Sequence, residues 1–388
     1  MRITDLEQLV AAAEERLKDR VRELVETESP SDDKPAVDRA GTLVQGWAEA
    51  QGARTRRHRQ REYGDLLEIR FGPELSRTRS RTSSRAIHQR RVLLLGHLDT
   101  VWPLGTLHKM PWKEANGRLS GPGVLDMKAG VVMALEAFAA LQKLGALRPA
   151  TLLLVSDEEV GSPVSRTLTE SLAADCEAAL VLEPAQGLAY KTARKGVGAY
   201  TLRVEGVGAH AGVDFEAGHS AVREMARLVE TVSGFTDPAR GITVNVGVIS
   251  GGTRSNVVPA ECVAEVDVRI RRARDAERVE RSIAALKVLD PACRLTVTGG
   301  INRPPMERTP GTVKLFRLAR KLAAQLGLDL EEAATGGGSD GNFTAAMGVP
   351  TLDGMGAVGA GAHAAQEHVL TQHLVQRTAL LAAVLAQL

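Results

Sequence analysis

The residues able to do chemistry in this chain are histidines and carboxylates that follow short apolar runs. Val92-Leu93-Leu94-Leu95 leads into Gly96-His97-Leu98-Asp99, and Thr151 to Val155 leads into Ser156-Asp157-Glu158-Glu159. Ala179 to Leu182 leads into Glu183-Pro184, and Val349 to Leu352 is followed by a Gly/Ala loop reaching His363. Asp126 stands in Gly121-Pro122-Gly123-Val124-Leu125-Asp126-Met127-Lys128-Ala129-Gly130, at the start of a helical pattern (Val131, Leu135, Phe138, Leu141). Neutral imidazole and carboxylate suit zinc and similar divalent ions, whereas a structural zinc site of the thiolate type would need cysteines. His97, Asp126, Glu159, Glu183 and His363 make five candidate ligands. Five exceeds one tetrahedral ion but suits two ions sharing a bridging carboxylate, a pair that clamps a carbonyl oxygen and lowers the pKa of a shared water. That water needs a base, and Glu158 is beside a ligand. Asp99, two residues after His97, can hold the second ring nitrogen of that imidazole.

Each residue alone has a plain structural reading: a hydrogen-bonded histidine, a solvated acidic turn, a helix N-cap at Asp126. Their coincidence outweighs it. Apolar runs of four or five residues between polar flanks read as strands buried on both faces, as in a parallel sheet, and such sheets bind ligands beyond the carboxyl ends of their strands. The candidates all fall at that edge. His108, His219, His368 and His373 lack this setting and read as structural or solvated.

The elements that must position them fit a chain of 388 residues, long enough for two or three domains. The apolar fraction of 44% is ordinary for a globular protein with a sizeable core. With 49 basic and 47 acidic residues, bulk charge argues against a nucleic-acid or membrane partner. The three cysteines, Cys176, Cys262 and Cys293, are too scattered for a disulfide framework. No apolar run reaches the roughly 18 residues of a membrane span. The N-terminus reads as an amphipathic helix to about Thr27 without a signal core, so the expectation is a cytoplasmic protein. A second helix follows to about Gly52. Glu74 to Arg90 is basic, Ser-rich and low in complexity, an anion-binding arm or, in the ordinary reading, a solvated loop.

Between Gly196 and Pro305 the texture changes. Alternating strands and two helical patterns succeed one another as βαββαβ, the order of a ferredoxin-like unit with an antiparallel sheet. The expected architecture is therefore α/β. A mixed, mostly parallel sheet flanked by helices spans residues 1–195 and 307–388, and an α+β domain of residues 196–306 is inserted in it.

The set GHLDTV, GPGVLDMKAG, SDEEVGS, LEP and GAHAAQEHV, together with GVGAHAG, SNVVPA, DVR and TGGGSDG, resembles the M20 family of metallopeptidases. Within it, the nearest likeness is to the glutamate carboxypeptidase (carboxypeptidase G2-like) branch. The resemblance implies a two-zinc catalytic domain with an inserted dimerisation or lid domain. It implies Asp126 as bridging ligand, His97 and Glu183 on one zinc, Glu159 and His363 on the other, and a cis peptide after Asp126. Co2+ or Mn2+ can stand in for zinc in such sites. Glu158 is then the general base, Asp99 the partner of His97, and His210 the histidine that reaches the partner subunit's active site. Asn256 and Arg269 match positions that hold the substrate carboxylate, a task suited to a planar guanidinium, and Gly336, Gly337 and Gly338 match a backbone wall. The implied enzyme is a homodimeric carboxypeptidase acting on a small peptide or N-acyl amino acid. Gln186 to Lys195 departs from the stretch that grips an acidic side chain, which leaves the glutamate preference open. An N-acyl amino acid deacylase or a dipeptidase is the near alternative. A non-catalytic binding protein on the same fold is the distant one, disfavoured by the presence of Glu158 and all five ligands.

Overall fold

A computed structural model describes residues 2–73 and 90–388. The basic stretch Glu74 to Arg90, but for its last residue, lies outside the described residues. The chain forms two compact units. The first comprises Met1–Ala193, Arg308–Ala334 and Ser339–Leu388, and the second Arg194–Glu307 with Thr335–Gly338.

In the first unit a six-stranded sheet runs in the order Arg54–His58, Leu66–Phe71, Ala150–Val155, Arg91–His97, Cys176–Val181, Thr351–Leu352. The last four strands are mutually parallel and the first two pair antiparallel at one edge. The apolar runs are continuous because both faces are covered. Val92 and Leu94 enter one core with the helices Glu14–Glu26, Lys34–Ala50, Ala129–Lys143, Pro310–Gln325 and Leu374–Gln387, while Leu93 and Leu95 enter a second, smaller core near the helix Arg166–Ala173. Burying a Leu side chain completely contributes roughly 1.5–3 kcal/mol, so the run stabilises the sheet from both sides.

Two elements differ from the sequence expectation. The N-terminal helix is two helices, Ile3–Ala11 and Glu14–Glu26. Neither Ala12 nor Ala13 punctuates a helix by propensity. The break lies where the first piece turns to pack on Leu374–Gln387, while the second packs on Ala129–Lys143. The strand Arg54–His58 has no apolar alternation because it lies at the sheet edge, where charged side chains discourage further pairing. Asp126 stands at the helix start, in the turn just before Ala129–Lys143, with an extended φ/ψ of −116°/93° and the cis peptide to Met127 that the resemblance implies.

The second unit is a four-stranded antiparallel sheet, in the order Thr243–Gly251, Glu261–Ile270, Gly196–Glu205, Arg294–Arg303. Numbered along the chain this order is 2-3-1-4, and the helices Ala221–Ser233 and Ala273–Ala284 complete the ferredoxin-like βαββαβ pattern. Alternation along Gly196–Glu205 sends Tyr200, Leu202 and Val204 into a core with Met225, Leu228, Val279 and Ile283.

Candidate metal centre

Four adjacent parallel strands end at one edge of the first sheet, and the acidic and histidine side chains gather there. His97 is the last residue of its strand and is buried. Its Nδ1 lies 2.9 Å from the main-chain oxygen of Asp99. A carbonyl oxygen only accepts, so Nδ1 carries the proton and Nε2 is left for the site. Nε2 is 3.1 Å from Asp126 Oδ1 and 3.8 Å from Glu183 Oε1. The other Asp126 oxygen, Oδ2, is 3.3 Å from His363 Nε2, which is also 3.2 Å from Glu159 Oε2. One carboxylate thus faces two imidazoles, one oxygen to each. Ligand-type atoms of His97, Asp126 and Glu159, and of His97, Glu158 and Glu183, lie within 4.8 Å of one another.

Backbone constraints hold these side chains in place. Glu158 and Glu159 lie in the short helical turn Glu158–Val160, where the buried Asp99 carboxylate accepts from both main-chain N–H groups (3.3 and 3.1 Å) and from Ser31 Oγ (2.7 Å). Asp99 therefore fixes His97 through its carbonyl and the Glu158–Glu159 turn through its carboxylate, which is 3.5 Å from His97 Nδ1. Glu183 follows Leu182, whose carbonyl is wedged between two glycines. A Cβ at Gly130 would stand 2.3 Å from that oxygen, and one at Gly356 2.1 Å. His363 is half-exposed and adopts the left-handed region, φ 60°.

The electrostatics are those of a cation site. Burial pushes the His97 pKa down, yet Asp126 and Asp99 raise it well above the usual imidazole value. Asp126 and Glu159 lift His363 to about 10. Burial pushes the Asp126 carboxyl up, but its hydrogen bonds to His363 and His97 outweigh this and hold it well below the usual range. Glu159 Oε1 is buried with no hydrogen-bond partner among the described residues. A buried carboxylate oxygen without a donor is costly unless something cationic meets it, so the donor set of nitrogen and oxygen atoms fits divalent ions such as Zn2+, Co2+ or Mn2+.

The six remaining site residues, His210, Asn256, Arg269 and Gly336 to Gly338, lie in the second unit. His210 is exposed on the two-residue strand Ala209–His210, opposite Val257, and its Nδ1 accepts from the Gly212 N–H at 3.2 Å. The neighbouring Ala211 N–H donates to the Asn256 carbonyl at 2.9 Å. Arg269, on Glu261–Ile270, donates through Nε to both Asp267 oxygens (2.9 and 3.0 Å) and through Nη1 to the Gly336 carbonyl at 3.4 Å. Buried Arg194 donates to the carbonyls of Gly337 and Gly338 at 3.3 and 2.9 Å. The structure thus joins the backbone next to His210 to that of Asn256, and Arg269 to the glycine segment.

Sequence reasoning missed two buried charged groups. Glu367 accepts hydrogen bonds from the backbone around Asp126; burial pushes its carboxyl up. Lys128 donates to the Thr27 carbonyl at 2.9 Å, and burial pushes its ammonium down to about 7, against the nearby Glu367 and Glu28 carboxylates. Of the histidines set aside, His219 pairs with Asp290 at 2.8 Å and His368 Nδ1 meets the Gln366 carbonyl at 2.8 Å.

Residues 93–387 match Peptidase family M20/M25/M40. The chain is 30% identical over 304 residues to carboxypeptidase G2 of Pseudomonas sp. (strain RS-16), covering 76% of this chain and 72% of that protein. It is 32% identical over 321 residues to the succinyl-diaminopimelate desuccinylase of Acidovorax ebreus, covering 76% and 79%. Among solved structures, a tripeptidase from Staphylococcus aureus superposes with a TM-score of 0.79 at 19% identity, covering 97% of this chain and 99% of that one. An M20 family metallo-carboxypeptidase from Sulfolobus solfataricus superposes at 0.71 with 15% identity, covering 95% and 98%. The chain belongs to peptidase family M20/M25/M40 and is a hydrolase of its metallopeptidase and amidohydrolase class.

Proposed function

We propose that this protein is a dinuclear zinc carboxypeptidase that hydrolyses the amide bond before a C-terminal amino acid in a small peptide or N-acyl amino acid. The observation that carries the reading is the Asp126 carboxylate divided between His97 and His363, beside the unpartnered Glu159 Oε1. His97 and Glu183 would hold one ion, Glu159 and His363 the other, and Asp126 both. Two such ions, when bound, polarise a carbonyl and acidify a water. Glu158 takes the proton from the attacking water and delivers it to the leaving amine. His210 donates to the oxygen that gains charge as the carbonyl turns tetrahedral. Arg269 and Asn256 hold the substrate carboxylate, against a wall made by the backbone of Gly337 and Gly338.

The second unit is read as the lid and dimerisation domain. Its edge strand Thr243–Gly251 carries exposed Val248 and Ile249, a surface suited to a second copy of the chain. Three free, buried thiols suit a reducing, cytoplasmic setting. If His210 serves the partner's site, His210→Ala and Glu158→Ala chains, each inactive, regain roughly a quarter of wild-type activity when refolded together, by two-fold symmetry; a mixture that exchanges subunits yet stays dead would count against it.

The deciding experiment is metal analysis of the purified protein, followed by a panel of N-acyl amino acids and dipeptides, with N-acylglutamates first. Two ions per chain and turnover confined to substrates with a free C-terminal carboxylate support the reading. Turnover that follows the acyl group and ignores the carboxylate favours a deacylase, the chemistry named by the desuccinylase relative. Turnover of unblocked dipeptides alone favours a dipeptidase.

A further inference from the structure

Glu367 is wholly buried, lies four residues after His363, and belongs to no ligand set described above. Both its oxygens point at the segment that carries Asp126. Oε1 accepts from the Leu125 N–H at 2.8 Å and from the Asp126 N–H at 3.1 Å. Oε2 accepts from the Gly123 N–H at 3.0 Å and from Trp102 Nε1 at 2.9 Å. An ionised carboxylate has about four lone-pair sites and no donor, so this group is saturated by four N–H groups. Three of them belong to the turn that aims Asp126, and the fourth to the segment just past His97 and Asp99.

The same residue also closes the His363 loop. The Glu367 N–H donates to the Ala364 carbonyl at 2.9 Å, and the Ala364 N–H to the Gly361 carbonyl at 2.9 Å, so His363 sits inside a chain of turns that Glu367 terminates. The next residues, His368–Leu370, pair with Arg118–Ser120, the strand that leads into the Asp126 turn. Two loops carrying two metal-facing side chains are therefore joined by one side chain and one short ladder.

We propose that Glu367 is the positioning residue of the dinuclear centre, setting Asp126 against His363 so that one carboxylate spans two ions, while itself touching neither ion nor substrate. The proposal rests on the dinuclear reading above. A glutamine there keeps the shape but turns an N–H pair toward N–H donors, so at least two of the four bonds are lost and the turn is released. Partners that orient metal ligands typically affect metal affinity by about 10–100-fold.

The test is titration of the metal-free protein with Mn2+ alone, read by calorimetry and by electron paramagnetic resonance. The wild type takes up two ions that give a spin-coupled signal. Glu367→Gln binds Mn2+ at least about tenfold more weakly and loses or alters the coupled signal, which a merely structural residue would not move. Trp102→Phe removes one of the four bonds and decides the matter if Glu367→Gln does not fold: it shows severalfold weaker Mn2+ binding with a metal-free melting temperature close to wild type. Wild-type affinity and coupling in Glu367→Gln, or wild-type affinity in Trp102→Phe should the first variant not fold, overturns the proposal. Failure of the dinuclear reading itself looks different, because the wild type then gives no coupled pair.

Discussion

His97 is 1% exposed and has both ring nitrogens engaged, whereas His210 stands exposed on a two-residue strand with a single main-chain N–H on Nδ1. The contrast extends to everything around them. Near His97, strand ends, turns and a buried Asp99 fix each carboxylate, and added atoms would collide with backbone. In the second unit Arg269 is held by Asp267 and one carbonyl, and Gly336 borders open space. Ions need ligands fixed to within fractions of an ångström, while a substrate carboxylate can be met by a guanidinium that swings. On the proposed reading, precision and adaptability are divided between the two units.

The largest effect should come from the rigid side. If Glu158 is the base, Glu158→Gln removes the proton acceptor but none of the five proposed ligands, so turnover should fall at least about a hundredfold with the metal content unchanged. Near-normal turnover in the metal-loaded variant would sink the assignment of Glu158 as base. On the adaptable side, Arg269→Ala should cost about ten- to a hundredfold in kcat/KM on a free C-terminal carboxylate, and far less on the corresponding amide. Equal losses on acid and amide would show that Arg269 shapes the unit through Asp267 rather than gripping substrate.

The rigid site also has a pH signature. In the ion-free protein His363 titrates near 10 and His97 above its usual value, so below those values both imidazoles carry protons they must release to become ligands. The raised values mean that affinity for a divalent ion rises with pH up to about 10 and falls as the medium is acidified. Calorimetric titration at pH 7 in buffers of different ionisation heat should report protons released per ion bound; identical heats in all buffers would contradict it. His210 lies outside the proposed ligand set, and its substitution should leave the number of protons released per ion unchanged.

Both units were legible in outline, the second through its βαββαβ order and the first through its buried strands. Strands covered on both faces must be apolar throughout, so Val92–Leu95 and Thr151–Val155 announce themselves, and the residues just past them stand at the sheet edge. The strand Arg54–His58 stayed hidden because an edge strand has one neighbour and carries charge. Glu367 stayed hidden because its partners are mainly backbone N–H groups, which leave no side-chain pattern to read. The Ala12–Ala13 break reflects what each helix packs on, a tertiary fact with no local marker. The association of Thr335–Gly338 with the second unit is likewise invisible locally: it depends on hydrogen bonds from Arg194, over a hundred residues away.

A matched pair of glycine substitutions gives the finest version of the comparison. Gly130→Ala puts a methyl 2.3 Å from the Leu182 carbonyl, backbone that cannot yield without moving Glu183, so overpacking should cost about 1–3 kcal/mol or more and weaken metal binding. Gly336→Ala adds the same methyl where none of the described residues lies within 4 Å, at a residue outside the left-handed region. Its effect on folding should be the smallest of all, within about 0.5 kcal/mol of wild type by thermal or urea unfolding. Its effect on binding should not vanish, because the Gly336 carbonyl that Arg269 reaches is bonded to the same Cα as the new methyl. If the space around that methyl receives the substrate carboxylate, KM rises a fewfold while kcat and metal content stay put, the pattern of lost uniform binding. A fall in kcat at unchanged KM would instead mean that the segment acts on the reacting carbonyl, and the division between a rigid ion site and an adaptable substrate wall would have to be redrawn.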